Sequence, residues 1–121
     1  MFRLWAIVVV VCLFTGCESV RWLPQAGRYD WPVHEALRVM ECESTGDPNA
    51  YNRSSATTGL MQVHPDNLYG IPHEALAGLA ETHPEFSYRD WIAWLKVPAN
   101  NLDAAYRIWK FSGWGEWTCQ P

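Results

Sequence analysis

Apolar residues recur at helical spacing along most of the chain after about residue 30, and no convincing apolar–polar alternation predicts a strand. A first helix is predicted over residues 32–44, and its apolar stripe consists of Val33, Ala36, Leu37 and Met40. Asp30 stands where an N-terminal capping residue belongs, and Pro32 suits the first turn. Gly46 and Pro48 then end the helix and begin a polar loop.

Three further helices are predicted over residues 72–81, 88–96 and 98–112. The apolar stripe of the last helix consists of Leu102, Ala105, Ile108 and Trp109. Gly113 suits the C-terminal stop of this helix, and an irregular aromatic tail follows. The whole pattern predicts an all-α, single-domain fold around one core.

The N-terminal residues form a different kind of segment. An apolar run over residues 4–14 follows Arg3, and it is shorter than the roughly 20 residues of a membrane-spanning helix. It matches the apolar region of a secretory signal better than a buried strand of the domain. The run ends in "FTGC", which resembles the lipobox of bacterial lipoproteins and would make Cys17 the lipidated first residue of the mature chain.

An uncleaved N-terminal anchor is the main alternative to lipidation. Both alternatives place the domain outside the cytoplasm and on a membrane, in a periplasm or on a cell surface. We therefore expect a signal or anchor over residues 1–17, a tether over residues 18–30 and the folded domain over residues 31–121.

Export also accounts for the four cysteines. Cys12 lies in the signal and Cys17 would carry the lipid, which leaves Cys42 and Cys119. An exported compartment is oxidising, so this pair is predicted to form a disulfide. Closing so long a loop contributes about 4 kcal/mol in the chain-entropy model.

Composition and the lack of several motifs exclude some classes of function. The chain has 121 residues, a formal net charge of −4 and no long basic run, so nucleic acid is a poor partner. Eight tryptophans are either core residues or, where exposed, platforms for sugars. Neither a zinc-protease H-E-x-x-H motif, a nucleophile elbow nor a glycine-rich phosphate loop occurs in the sequence. We expect no metal and no cofactor, and carboxylates remain as the candidate chemistry.

Two glutamates flank Cys42 in the stretch "MECESTGDPNAYN". Glu41 shares a helix face with Arg38, a ready ion-pair partner that would keep it ionised. Glu43 falls on the flank of Val39 and near the helix C-terminus, where both apolar neighbours and the helix dipole disfavour negative charge. A raised pKa is what a general acid needs, so Glu43 is favoured over Glu41. The alternative is that both are solvated helix residues.

Several motifs occur in an order that resembles the lytic transglycosylase domain of the lysozyme-like superfamily. They are "ES" at 43–44, "DPNAYN" at 47–52, "GLMQVHP" at 59–65, "NLDAAYRIW" at 101–109 and "SGWGEWTC" at 112–119. The last two are similar to the end of compact members, such as the resuscitation-promoting-factor-like domains. The resemblance implies a small lysozyme-like fold, from a superfamily classed as α+β, with one disulfide.

The resemblance also implies cleavage of peptidoglycan between N-acetylmuramic acid and N-acetylglucosamine, with a 1,6-anhydro product. Glu43 corresponds to the general acid and base of the family. Gln62 would contact the substrate near the scissile sugar, Met61 would line the groove, and Gly59 would let the backbone turn close to the glycan. Ser44 and Tyr106 are further substrate-binding candidates, although plain core packing is the alternative for Gly59 and Met61.

Two other functions stay open. A lysozyme-type muramidase needs a second carboxylate, about 5–5.5 Å away for retention or about 6.5–9.5 Å for inversion. Asp47 and Asp66 are the nearby acids, and Asp47 has the character of a turn residue before Pro48. A non-catalytic lipoprotein that binds cell-wall glycan is the third possibility. In each case we expect a monomer whose partners are glycan strands and the membrane.

Overall fold

Five α-helices form the framework of the computed structural model, which describes residues 18–121. They are α1 (Leu23–Ala26), α2 (Val33–Ser44), α3 (Ala77–Ala80), α4 (Tyr88–Leu95) and α5 (Pro98–Ser112). Short 3-10 helices lie at Glu18–Trp22, Pro65–Asn67 and Glu74–Leu76. Extended pairing among residues 18–121 is limited to isolated bridges that Thr58 makes with Tyr51 and Val63. The prediction of a small all-α fold is confirmed.

The predicted signal and its Cys17 lie in residues 1–17, outside the described residues. Within residues 18–121, every helix is too short or too polar to cross a bilayer.

Helix α2 supplies much of the core, as its stripe predicts. Ala36, Leu37, Val39 and Met40 are all essentially inaccessible to solvent. The helix begins after Pro32, which is its N-cap, and no side chain caps it, so the prediction that Asp30 caps this helix is wrong. Its C-cap, Thr45, adopts a left-handed conformation and turns the chain into the polar loop.

The later helices match their predicted ranges to different degrees. Helix α5 has the predicted bounds and is followed by Gly113 as its C-cap, and α4 begins in a capping box between Ser87 and Asp90. The helix predicted over residues 72–81 is instead the 3-10 helix Glu74–Leu76 followed by the single turn of α3. The His73 side chain accepts the Ala75 N–H at 2.9 Å and caps this tighter turn.

Residues 18–26 are not a tether. They fold into a 3-10 helix and α1 and pack against α2, with Ser19 and Ala26 fully buried. The Trp22 indole N–H donates to the Gly46 carbonyl oxygen at 2.8 Å, which fastens the segment to the end of α2. Hydrogen bonds and a few scattered apolar contacts, such as that of Ala26 with the core, hold this short segment, so helical periodicity gives no clear signal for it.

Buried Asn101 of α5 holds the polar loop after α2. Its amide donates to the carbonyl oxygens of Thr58 (2.8 Å) and Leu95 (2.9 Å), and its side-chain oxygen accepts the Met61 N–H at 2.8 Å. Gly59 has a left-handed φ of 81°, and a Cβ there would collide with the Asn101 side chain and the Leu95 carbonyl. The loop is therefore fixed beside α5.

Candidate active site

A cleft of about 390 Å³ opens between the end of α2, the polar loop, α5 and the C-terminal tail. Its lining residues are Glu43 of α2; Asn52, Ser55, Thr57, Gln62, Val63, His64 and Asn67 of the loop region; and Ile108, Glu116, Trp117, Thr118 and Cys119 of α5 and the tail. Segments distant in sequence thus meet around one open cavity, which is lined by two of the predicted catalytic and substrate-binding residues, Glu43 and Gln62.

Glu43 lies in the last turn of α2 and is half-buried in the wall of the cleft. Burial raises the pKa of its carboxyl above the ordinary value of 4.5, although a hydrogen bond from the Cys119 backbone and the charge of His64 oppose the shift. The Cys119 N–H donates to Glu43 Oε2 at 3.1 Å. A carboxyl with a raised pKa and access to a cleft can hold a proton and donate it to a ligand.

The predicted disulfide is present and holds this donor in place. Cys42 is bonded to Cys119, with their Cα atoms 6.0 Å apart. Trp117 is buried in the same tail, and its indole N–H donates to the Met61 carbonyl oxygen at 2.8 Å. The tail is therefore fastened at two points, and the Cys119 backbone N–H stays beside the Glu43 carboxyl.

Glu41 has a different environment on another face of α2. Its Oε2 accepts hydrogen bonds from the Ser19 hydroxyl at 2.7 Å and from the Ser19 N–H at 3.1 Å. Within residues 18–121 no ion pair joins Glu41 to Arg38, so that prediction is wrong. Glu41 does not line the cleft, and its carboxylate fastens the N-terminal segment to α2.

Gln62 lines the cleft, yet most of its amide is already engaged. Its Nε2 donates to the carbonyl oxygens of Ala50 and Gly59, both at 3.1 Å, and its Oε1 accepts the Thr57 hydroxyl at 2.7 Å. Gln62 also has a left-handed φ of 50°. The side chain therefore shapes the loop, and only its carbonyl oxygen keeps a lone pair for a ligand.

Four other predicted site residues do not line the cleft. Met61 is fully buried in the core, and the close approach at Gly59 is to Asn101 and not to a glycan. The buried Ser44 hydroxyl donates to the Leu60 carbonyl oxygen at 2.7 Å and joins α2 to the loop. These three residues therefore have structural roles, and the structure corrects their prediction as substrate contacts.

Tyr106 likewise packs away from the cleft. It lies in an aromatic cluster, with its ring centroid 4.8 Å from that of Tyr29 and 5.7 Å from that of Trp31. Trp117 is the one tryptophan of residues 18–121 that lines the cleft. The tryptophans that the structure describes are buried or half-buried, so most of them serve as packing and not as exposed platforms for sugars.

The two loop acids considered as second carboxylates of a hydrolase do not line the cleft. Asp47 is exposed, and its Oδ1 accepts the Asn49 N–H at 2.9 Å, which confirms its role in a turn. Asp66 is also exposed and lies beside Tyr88; burial, and then this carboxyl, raise the pKa of the phenol.

A different carboxylate, Glu116, reaches the cleft from the tail, and sequence reasoning missed it. Its Oε2 accepts the Ser112 hydroxyl at 2.6 Å and lies 2.9 Å from His73 Nε2. Burial alone would raise the pKa of Glu116, but the hydrogen bonds from Ser112 and His73 outweigh it and hold the pKa below 4.5. The only sequence signal was an acid inside the aromatic "GWGEW" tail.

A family model described as "Transglycosylase SLT domain" matches residues 22–110. Neither curated proteins nor solved structures give a significant match. The matched residues contain α2 with Glu43, the polar loop with Gln62 and most of α5, and the matched family is lysozyme-like, in agreement with the small helical fold. The chain therefore belongs to the transglycosylase SLT domain family, whose members are cell-wall enzymes that act on peptidoglycan.

Proposed function

We propose that the protein is a lytic transglycosylase that cleaves peptidoglycan between N-acetylmuramic acid and N-acetylglucosamine, with Glu43 as the only general acid and base. One observation carries this proposal: Glu43 is the carboxyl group that combines a place in the cleft with a pKa raised by burial. Family membership supports the substrate class.

The proposed reaction uses one carboxyl group in two successive roles. Protonated Glu43 donates its proton to the glycosidic oxygen, and the bond breaks as positive charge develops on the muramic acid ring. The resulting carboxylate then accepts the proton of the 6-hydroxyl of the same sugar, whose oxygen bonds to the anomeric carbon. The products are a 1,6-anhydro-muramyl end and a free 4-hydroxyl, and no water is consumed.

The Cys119 N–H supports both halves of this cycle. It donates to Glu43 Oε2, so Oε1 is the oxygen left to carry the proton to and from the sugar. A single neutral donor stabilises the carboxylate formed after the first step without cancelling the pKa increase that the first step needs. The disulfide keeps this donor fixed during turnover.

Hydrolysis is the second candidate reaction, and Glu116 is the observation that favours it. A muramidase needs a second carboxylate in the cleft, and Glu116 is one. Its lowered pKa makes it a weak general base for activating water in an inverting reaction, whereas an ionised carboxylate suits the nucleophile of a retaining one. The match to the transglycosylase family model favours the one-carboxyl mechanism over hydrolysis.

Product analysis tests the proposed function. Purified peptidoglycan is digested with the protein, and the muropeptides are identified by mass. We expect anhydro-muropeptides from the wild type and none from Glu43→Gln. Reducing-end products would establish hydrolysis, and undiminished cleavage by Glu43→Gln would exclude Glu43 as the acid. Glycan binding without any cleavage would establish the third candidate, a wall-binding lipoprotein.

We propose further that the protein is an exported, monomeric lipoprotein, anchored through lipid on Cys17. The apolar run and the "FTGC" sequence support export and lipidation, and the disulfide suits an oxidising compartment. We expect palmitate labelling of the wild type and none of Cys17→Ala in a bacterial host. Labelling that persists in Cys17→Ala would contradict this anchor.

A further inference from the structure

Glu116 has a more rigid carboxylate than an exposed glutamate normally has. The Ser112 hydroxyl and His73 Nε2 both lie within 2.9 Å of its Oε2. His73 Nδ1 accepts the Ala75 N–H at 2.9 Å, so in the neutral ring the proton must be on Nε2. His73 therefore donates to Glu116, and two donors from separate helical segments fix the same oxygen.

The second oxygen of Glu116 is the one left for a ligand. No donor among residues 18–121 makes a hydrogen bond to Oε1, while the residue lines the cleft. The His73 ring is itself held at an edge-to-face distance of 5.4 Å from the Phe111 ring, so the anchor does not depend on one flexible side chain. Glu116 thus offers a fixed acceptor at the wall of the cleft.

Acidic residues outnumber basic ones at the wall of the cleft. Among the described residues that line it there is no lysine or arginine, the acidic residues are Glu43 and Glu116, and the one basic residue is His64. His73 contacts Glu116 from outside this lining. Because the pKa of Glu116 is lowered, its carboxylate is ionised at neutral pH. An anionic acceptor binds a cationic N–H donor more strongly than a neutral one and repels a carboxylate.

We propose that Glu116 is a specificity-determining residue whose fixed carboxylate contacts the glycan and favours sugars with a free 2-ammonium group over their N-acetylated counterparts. The inference rests on the proposed function only in taking a glycan as the ligand. It holds for a lyase or a hydrolase, because it concerns binding. Glu116 lies in the C-terminal tail, beyond the stretch that the family model matches.

Binding of two defined glycans tests the inference. The probes are chitotetraose and the same tetramer without its acetyl groups, titrated calorimetrically into the purified full-length protein at a pH where the sugar amines are protonated. We expect wild type to bind the deacetylated tetramer about three- to tenfold more tightly, the effect of one charge-assisted hydrogen bond. The ratio of the two dissociation constants should fall to about one in Glu116→Gln.

Two variants control for other effects of the substitution. Glu81→Gln makes the same change in net charge at an exposed residue outside the cleft, and it should keep the wild-type ratio. Ser112→Ala removes one of the two donors to Glu116 and should reduce the ratio partly. Thermal unfolding of each variant confirms that it is folded.

The outcomes separate this inference from the proposed function. An unchanged ratio in Glu116→Gln, or no binding of either tetramer by wild type, overturns the inference. So does a Glu116→Gln variant that loses more than about a hundredfold in kcat, because Glu116 would then be the second catalytic carboxylate of a hydrolase. Cleavage by Glu43→Gln overturns the proposed function and leaves the binding ratio untouched.

Discussion

Helix α2 carries two glutamates that contact two different segments of the chain. Each glutamate accepts a backbone hydrogen bond from its segment. Glu41 Oε2 accepts the backbone N–H of Ser19 in the N-terminal segment at 3.1 Å. Glu43 Oε2 accepts the backbone N–H of Cys119 in the C-terminal tail, also at 3.1 Å. Each segment is thus attached to the helix through a carboxylate, on either side of Cys42.

The difference lies in what else surrounds each carboxylate. The Ser19 hydroxyl donates a second hydrogen bond to Glu41, and Glu41 does not line the cleft. Glu43 has a single hydrogen-bond donor among residues 18–121, is half-buried and faces the cleft, and its pKa is raised. One backbone donor therefore does not define the role of a carboxylate. A second donor makes Glu41 a structural link, and the lack of one leaves Glu43 reactive.

Matched glutamine substitutions should separate the two roles most strongly. Glu43→Gln removes the transferable proton and is expected to lower kcat by about 10²–10⁴, with no loss of stability at neutral pH. Glu41→Gln should keep kcat within about threefold and lower the free energy of unfolding by about 1 kcal/mol, because its hydrogen bonds are no longer charge-assisted. Turnover of peptidoglycan measures kcat of both variants, and urea unfolding measures their free energies of unfolding. Equal losses of activity in the two variants would contradict the assignment.

The disulfide is another difference between the two segments, because it bonds the C-terminal tail covalently to α2. It closes a loop with a sequence separation of 77 residues, so removing it in Cys42→Ser/Cys119→Ser should lower the free energy of unfolding by about 4 kcal/mol. Activity should also fall, because the Cys119 N–H is no longer fixed beside Glu43. Urea unfolding and turnover below the new midpoint test this. Full activity in a destabilised double variant would show that the tail positions Glu43 without its covalent link.

Part of this structure could be predicted from the sequence. The apolar stripe of α2, the bounds of α5 and the disulfide followed from periodicity and from cysteine chemistry, because each leaves a local or compositional signal. The environment of Glu43 was predictable for the same reason, since its buried flank includes Val39, which lies one helical turn before it.

The contacts that were missed depend on side chains that meet from distant parts of the chain. Ser19 reaches Glu41 across 22 residues, and His73 reaches Glu116 across 43. Asn101, which fixes the polar loop, sits in a helix whose periodicity only marks it as buried. No pattern within one segment specifies such pairs, so the sequence predicts a tether over residues 18–30 and does not mark Glu116 as a cleft residue.

The second donor on Glu41 can be removed alone. Ser19→Ala keeps the backbone N–H contact but deletes the hydroxyl that donates at 2.7 Å. We expect a loss of about 1–2 kcal/mol in the free energy of unfolding and unchanged kcat, because only the N-terminal segment is loosened. Thermal and urea unfolding measure the loss. A fall in kcat comparable to that of Glu43→Gln would mean that the two faces of α2 are coupled.

The smallest expected effect is the pH dependence of stability. Because burial raises the pKa of Glu43 above 4.5, the folded chain binds its proton more tightly than the unfolded chain does. This carboxyl therefore makes stability fall as the pH rises through the interval between the two pKa values. Glu43→Gln is not ionised at any pH, so it should be more stable than wild type at about pH 7 and equal to it below about pH 4.

Glu116→Gln should show the opposite sign. The lowered pKa of Glu116 means that its ionised form stabilises the fold above the unfolded pKa, and that this contribution is lost as the pH falls through the folded value. The variant should therefore be less stable than wild type at neutral pH, and its disadvantage should shrink in acid. Urea unfolding of both variants and wild type across this pH range measures how the stability difference of each variant from wild type changes with pH. Slopes of the same sign would show that the two cleft carboxyls do not have opposite environments.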